Sequence, residues 1–325
     1  MKAVYFKDGK AALVEVPQPT PAPGQALIKP ILAGVCNTDV ELLKGYQGFE
    51  GIPGHEFVGR VIEAPGRPDL SGKRVAADIN IGCGSCPDCL AGDARHCPDR
   101  KALGIRNWDG VFAEYFILPV RNLHLVGEAV SDLEAVFAEP LAAVLEISQQ
   151  VHLKADLRTA VLGDGKIGLL CALALGVFLP RIVLIGRHEN KLALAASLGL
   201  ETMPAAAGED GSVPAGRRGR FDLVIEATGH PGGIGQALEL VRPRGVVVVK
   251  TTSRRNSEIN LSGLVVAEKT VIGSRCGNIG LALGFLERKI VNPVPLVERV
   301  FPLDEFVPAL AMAGKSGTGK VLIEF

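Results

Sequence analysis

The sequence predicts an α/β plus β protein, with a β-rich first half followed by a doubly wound parallel sheet. Residues 1–35 alternate apolar and polar side chains between Pro and Gly punctuation, the period of short half-buried strands. From Thr159 onward, strand-like and helix-like runs alternate, the pattern of a parallel sheet covered by helices. At the head of that second pattern stands Gly163-Asp164-Gly165-Lys166-Ile167-Gly168, a G-x-G-x-x-G between a strand and a helix.

The 325 residues are 47% hydrophobic and 22% charged, enough for two cored domains. The formal net charge is zero, without the basic excess of a nucleic-acid or anionic-membrane binder. The apolar run from Ile167 to Pro180 is too short to span a bilayer and reads as a buried helix. The first residues lack the apolar core and cleavage site of a signal peptide. A cytoplasmic location is therefore expected, where thiols stay reduced. The seven cysteines then read as metal ligands or core residues.

In chain order, Val4, Phe6, Leu13, Val14 and Val16 read as strands. Pro17, Pro19, Pro21, Pro23 and Gly24 interrupt, and residues 26–32 resume. Gly34-Val35-Cys36-Asn37-Thr38-Asp39 then brings together a thiol, a hydroxyl and a carboxylate: a soft metal ligand, a proton-relay group and a ligand-orienting group. Residues 39–45 predict a short helix, capped by Thr38 or Asp39 and ended by Gly45. Residues 57–62 and 73–79 predict further strands. Between Cys36 and these strands lies Gly54-His55-Glu56. A lone His-Glu pair is ordinarily a hydrogen-bonded loop, but thiolate and imidazole are both good zinc ligands, and a catalytic zinc uses three protein ligands.

Cys83, Cys86, Cys89 and Cys97 follow with C-x2-C-x2-C-x7-C spacing. Four thiols in the polar, broken loop 82–99 predict a closed tetrahedral zinc site that supplies folding energy. A disulfide framework and an iron–sulfur cluster are the competing readings; no leader is evident, and ferredoxin spacings differ. His96 reads as a surface histidine. Residues 131–138 predict a capped helix ending at Glu139-Pro140, because the residue before Pro disfavours the helical region. Taken alone, Glu139 is a solvated helix-end carboxylate.

In the second half the glycines of the fingerprint have distinct tasks: Gly163 for the tight turn, Gly165 for close approach to pyrophosphate, Gly168 for helix-on-sheet packing. Lys166 and Ile167 open the helix whose N-terminus faces the anion. Strands are predicted at 182–185, 221–226, 246–250 and 271–273, and helices at 189–198 and 233–241. The turn after the second strand, Gly186-Arg187-His188, carries no acid for ribose hydroxyls, which favours NADP over NAD; a solvated turn with Glu189 as a shifted acid is the alternative. Residues 294–300 and 301–303 predict strands, 304–313 a helix, and 320–325 a last strand that rejoins the first domain's sheet.

Taken together, G-V-C-N-T-D at 34–39, G-H-E at 54–56, the four-cysteine loop, E-P at 139–140 and G-D-G-K-I-G at 163–168 resemble the zinc-dependent medium-chain alcohol and polyol dehydrogenases over essentially the whole chain. The closest motifs are those of the sorbitol, threonine and glucose dehydrogenase branch. The resemblance implies a GroES-like catalytic domain (1–145 and 281–325), a Rossmann NAD(P)-binding domain (146–280) and an active-site cleft between them. It implies catalytic zinc ligands Cys36 and His55, with Glu139 as third ligand and Glu56 able to bind or exchange with water. It further implies Thr38 as proton relay, Asp39 as the carboxylate orienting His55, Thr228 at the cofactor's border, and Lys320 facing the cofactor phosphates. Asn37 and Glu41 depart from the basic residue and histidine of many alcohol dehydrogenases.

The expected activity is hydride transfer between an alcohol, polyol or sugar and NAD(P), with one catalytic and one structural zinc, in a homo-oligomer without nucleic-acid or membrane partners. The rival readings are a zinc-independent reductase on the same fold and a non-catalytic NADP-binding redox sensor.

Overall fold

The computed structural model describes residues 1–205, 213–252 and 255–325. Strands β1 (Lys2–Lys7) and β2 (Lys10–Glu15) form a hairpin. Its two-residue turn needs positive φ at both positions, which Asp8 (49°) and Gly9 (70°) supply. The eleven-residue β3 (Gln25–Val35) follows, with Ala26, Ile28, Ala33 and Val35 fully buried. It leads into α1 (Asn37–Leu43). The helix starts two residues before the expected position and is capped by Cys36, not by Thr38 or Asp39. The reason is Asp39, which reaches back to accept the Cys36 N–H at 2.8 Å.

Strands β4 (Glu56–Glu63), β5 (Arg74–Ala77) and β6 (Asn80–Ile81) precede the cysteine loop, which contains α2 (Pro87–Leu90) and closes on β7 (Lys101–Ala102). Then come β8 (Phe116–Pro119), β9 (Leu123–Leu125), α3 (Asp132–Ala135) and α4 (Ala138–Gln150). The expected helix ending at Glu139-Pro140 is therefore two helices: Ser131 caps α3, and Glu139 and Pro140 open α4. Proline costs nothing in a first turn, where its missing N–H would have had no partner.

The chain then builds a six-stranded parallel sheet from β10 (Thr159–Leu162), α5 (Lys166–Leu175), β11 (Ile182–Gly186), α6 (Glu189–Ser197), β12 (Glu201–Pro204), β13 (Phe221–Glu226), α7 (Gly233–Leu240), β14 (Val241–Val249), α8 (Leu261–Val266) and β15 (Thr270–Gly273). Its order, β12-β11-β10-β13-β14-β15, reverses between β10 and β13, the switch point at which such sheets bind ligands. Every residue of β10 and β11 is buried, as helices on both faces require. Cys171 lies in α5 as a core residue, and burial pushes its thiol up to about 12.

The tail adds α9 (Ile279–Glu287), β16 (Val297–Pro302), α10 (Phe306–Ala313) and β17 (Lys320–Glu324). The two strands expected across 294–303 are one, preceded by a single 3-10 turn at Val294–Leu296. β17 pairs with β3 and β16 inside a seven-stranded sheet, order β16-β17-β3-β4-β5-β9 with β8 also on β3. Two units result: Met1–Ala142 with Asn278–Phe325, and Ala143–Gly277. Among the described residues no helix is long and apolar enough to cross a membrane.

Asp222 fastens the second unit's sheet at the start of β13. Its Oδ2 accepts from the Arg158 N–H (2.9 Å) and Nε (3.0 Å), while Oδ1 accepts from Arg242 Nε. The Arg158 guanidinium, with Arg242 beside it, holds the carboxyl well below the usual carboxylate range. A depressed folded-state pKa stabilises above the unfolded value and loses that contribution as pH falls toward the folded one. Asp222→Ala is expected to cost about 2 kcal/mol above about pH 5, with the gap to wild type narrowing below about pH 4, read from urea midpoints. A gap that does not change with pH would refute the charge pairing.

Candidate active site and metal centres

The first donor cluster forms where β3 ends and β4 begins, because Gly34 and Glu56 are register partners. Cys36, His55 and Glu56 each offer a ligand atom, all within 4.8 Å of one another. His55 is 3% exposed, Glu56 2% and Asp39 0%. Asp39 Oδ1 lies 3.4 Å from His55 Nδ1, and Thr38 Oγ1 lies 3.6 Å from Cys36 Sγ. Burial opposes the His55 imidazolium, yet Asp39 and Cys36 outweigh it and raise its pKa well above the ordinary value. Asp39 Oδ1, His55 Nδ1 and Glu56 Oε2 are buried without a hydrogen bond of ordinary geometry: the first two face each other at 3.4 Å, and Glu56 Oε2 faces the Lys320 ammonium. A buried thiol, imidazole and carboxylate converging in this way fit a zinc ion.

Glu139 is not part of that tight group. It is half-buried at the start of α4, and its charge acts on Lys320. Lys320, expected to face cofactor phosphates, opens β17 instead and forms a buried ion pair with Glu56 Oε2. Burial alone would lower its pKa, but Glu56, Cys36 and Glu139 together raise it. Gly34 makes the pair possible: a Cβ there would lie 2.9 Å from Lys320 Cε and closer still to the Glu56 carboxylate. Gly34 stands in the 34–39 motif, but the Glu56–Lys320 pairing that it admits is not signalled in the local sequence, since the partners meet only through sheet topology. Glu41 is paired with Lys44 at 2.9 Å on α1, the solvated helix carboxylate of its plainer reading.

The second cluster is Cys83, Cys86, Cys89 and Cys97, again within 4.8 Å. Backbone N–H groups aim at the sulfurs: Ser85 (3.4 Å) and Cys86 (3.3 Å) at Cys83, Cys89 at Cys86 (3.5 Å), and Cys83 at Cys97 (3.3 Å). The Ser85 hydroxyl and the Ser85 and Cys86 N–H groups lower the Cys83 thiol to about 6, whereas at Cys86 the Cys89 N–H is outweighed by burial and the neighbouring sulfurs, which push the thiol up to about 12. Donors converging on sulfur stabilise thiolates, the form that holds zinc. His96 stands outside the group, its side chain 62% exposed.

In the second unit Gly163 (φ 115°) packs so tightly that a Cβ would sit 2.6 Å from the Ala227 carbonyl. Gly165 caps α5 and has open space where a Cβ would point, and Gly168 is buried behind it. The half-buried Lys166 and Ile167 form the first turn. This cradle of backbone at a helix N-terminus fits a pyrophosphate. Thr228 follows β13 and is held by Glu226, whose Oε1 accepts from the Thr228 N–H (2.8 Å), the Thr228 hydroxyl (2.6 Å) and the Thr251 hydroxyl (2.9 Å). At Gly186-Arg187-His188 an acid is present after all. Asp164, from inside the glycine loop, accepts from the Arg187 and His188 N–H groups, both at 2.7 Å.

Family comparison agrees with both halves. The alcohol dehydrogenase GroES-like domain matches residues 22–128, and the zinc-binding dehydrogenase domain matches residues 163–287. D-altritol 5-dehydrogenase of Agrobacterium fabrum is 31% identical over 95% of this chain and 94% of its own. Sorbitol dehydrogenase of Halalkalibacterium halodurans is 30% identical over 97% and 96%. A Sinorhizobium meliloti 1021 protein assigned to the zinc-binding dehydrogenases, solved with NADP bound, superposes with a TM-score of 0.88 at 30% identity, covering 100% of this chain and 99% of that one. Fold and matches define a zinc-dependent oxidoreductase of alcohols that uses NADP or NAD. The chain belongs to the zinc-dependent medium-chain alcohol and polyol dehydrogenases.

Cys97→Ser, at a buried thiol, is expected to remove one zinc equivalent per chain and lower the thermal midpoint, as measured by elemental analysis and calorimetry. Unchanged zinc content would mean that the loop holds itself without metal.

Proposed function

We propose that the enzyme oxidises a secondary alcohol, polyol or sugar hydroxyl to the carbonyl, or runs the reverse reduction, with Cys36, His55 and Glu56 as the catalytic zinc donors. The observation that carries this reading is the buried convergence of those three side chains within 4.8 Å. Zinc, when bound, supplies Lewis acidity toward the substrate oxygen, and the nicotinamide accepts the hydride.

The chain's own residues do the rest. Asp39 orients His55 from 3.4 Å while fixing the Cys36 N–H, so two donors share one buried anchor. The Thr38 hydroxyl, half-buried beside Cys36, relays the proton that leaves the substrate hydroxyl, accepting it as it passes its own on to solvent. Lys320 offsets the negative charge of Cys36, Glu56 and Glu139 and restrains Glu56, with Glu139 as the alternative carboxylate donor. Gly163, Gly165, Lys166, Ile167, Gly168, Thr228 and the Gly186-Arg187-His188 turn form the cofactor cradle. The polyol class is supported by the altritol and sorbitol enzymes among the relatives. The clustered donor set speaks against a zinc-independent reductase, and a redox sensor would show no turnover on an alcohol panel.

Cys36→Ser and His55→Ala are expected to lower kcat by about a thousandfold or more while leaving NAD(P) binding within about threefold. Wild-type turnover in either variant would refute the assignment.

We also infer a homo-oligomer in the cytoplasm. Leu261, Val265 and Val266 on α8 are 64%, 68% and 85% exposed, and Val271 on the edge strand β15 is 40% exposed. Apolar exposure on α8 and on a strand at the end of the sheet's order suits burial against a second copy. Sedimentation is expected to give a dimer or larger, and Val266→Glu to reduce it; a monomeric wild type would refute the inference.

A further inference from the structure

We propose that Asp164 is a specificity-determining residue that biases the cofactor site against a 2′-phosphate and toward NAD. The inference rests on the nicotinamide-cofactor reading above. The turn after the second strand of a dinucleotide fold is where a ribose 2′-hydroxyl is told from a 2′-phosphate. In sequence that turn, Gly186-Arg187-His188, has no acid and two potential cations. In the folded chain a carboxylate reaches it from elsewhere.

Asp164 lies between the first two glycines of the loop, and its side chain rests flat on Gly186. A Cβ at Gly186 would sit 2.5 Å from the Asp164 Cβ and 2.6 Å from its Cγ, so Gly186 is what admits the acid. Asp164 Oδ2 accepts from the Arg187 and His188 N–H groups at 2.7 Å each, and Oδ1 lies 2.9 Å from His188 Nδ1. His188 is the N-cap of the nine-residue α6, so this carboxylate stands just ahead of that helix, bonded to the N–H groups of the two residues that precede its first turn. Asp164 is 6% exposed. Burial would raise its pKa, but His188 and Arg187 outweigh burial and lower it, which keeps the group charged at neutral pH.

Two consequences follow for an incoming cofactor. A 2′-phosphate would meet a fixed negative charge and find the turn's backbone donors consumed. A ribose hydroxyl brings a donor, and a carboxylate with roughly four lone-pair directions, three of them used here, has one left to accept it. The exposed Arg187 side chain still offers a cation, so the effect is a bias and not an exclusion. The acid that the turn lacks in sequence, and whose absence favours NADP, is restored by the fold.

The test is calorimetric titration of the full-length zinc-loaded protein with 5′-AMP and with 2′,5′-ADP, nucleotides that carry no nicotinamide. Wild type is expected to bind 5′-AMP at least as tightly as 2′,5′-ADP. Asp164→Asn is expected to tighten 2′,5′-ADP by about tenfold while moving 5′-AMP by less than about threefold. The NADP to NAD ratio of kcat/KM should rise in parallel, through KM. Equal shifts for both nucleotides, or an unchanged ratio, would make Asp164 a turn-building residue only and overturn the proposal. If Asp164→Asn does not fold, a wild type that binds 2′,5′-ADP the more tightly overturns it alone, and Asp164→Ser provides the second variant. A wild type that binds neither probe overturns the cofactor reading and this inference with it.

Discussion

The buried ion pair between Glu56 and Lys320 is the interaction around which the first unit's site is arranged. Two charges taken out of water are costly, and breaking such a pair by removing one partner typically costs about 3–5 kcal/mol. Here the pair sits in the notch left by Gly34, between strands β4 and β17 that flank β3. Cys36 follows directly at the end of β3, and His55 directly before β4. One missing Cβ therefore leaves the space in which carboxylate and ammonium meet, next to the thiol and the imidazole. Glu56 consequently has two claims on it: the cation that is part of the protein and the cation that the donor set fits.

A large share of this arrangement is legible in the amino-acid order, because its motifs are local. The C-x2-C-x2-C-x7-C loop and the strand–glycine–helix fingerprint specify their chemistry within a few residues each. Most strands and helices of the second unit follow from apolar runs between glycine turns, since β10 and β11 are buried on both faces and α5 is mostly buried; β12 and α8, which bury no residue, escape. What escapes is non-local or depends on a helix end. Cys36 displaces Thr38 and Asp39 as cap because a side chain three residues on satisfies its N–H. Glu139-Pro140 begins a helix because proline is harmless in a first turn. Lys320 meets Glu56 only when the last strand enters the sheet. Asp164 meets Gly186 only when β10 and β11 lie side by side.

The two units solve opposite electrostatic problems. In the first, acidic side chains and a thiol gather around one buried ammonium, that of Lys320, which Glu56, Cys36 and Glu139 keep charged. In the second, backbone N–H groups accumulate ahead of helices; those of the turn before α6 are taken by the protein's own carboxylate, and the N-cap of α5, Gly165, opens onto free space. The difference between a filled turn and an open helix start is the difference between a turn that discriminates and a cradle that binds.

The position of β17 carries a consequence for how the protein is made. Residues 143–277 are contiguous, so that unit can assemble as soon as it emerges from the ribosome. The first unit cannot, because β17 lies between β16 and β3 and brings Lys320 to Glu56. Until those last residues are synthesised, β3 presents an open edge and Glu56 lacks its counter-ion. Cys36, His55 and Glu56, translated early, therefore reach their final surroundings only once β17 has been made and has entered the sheet.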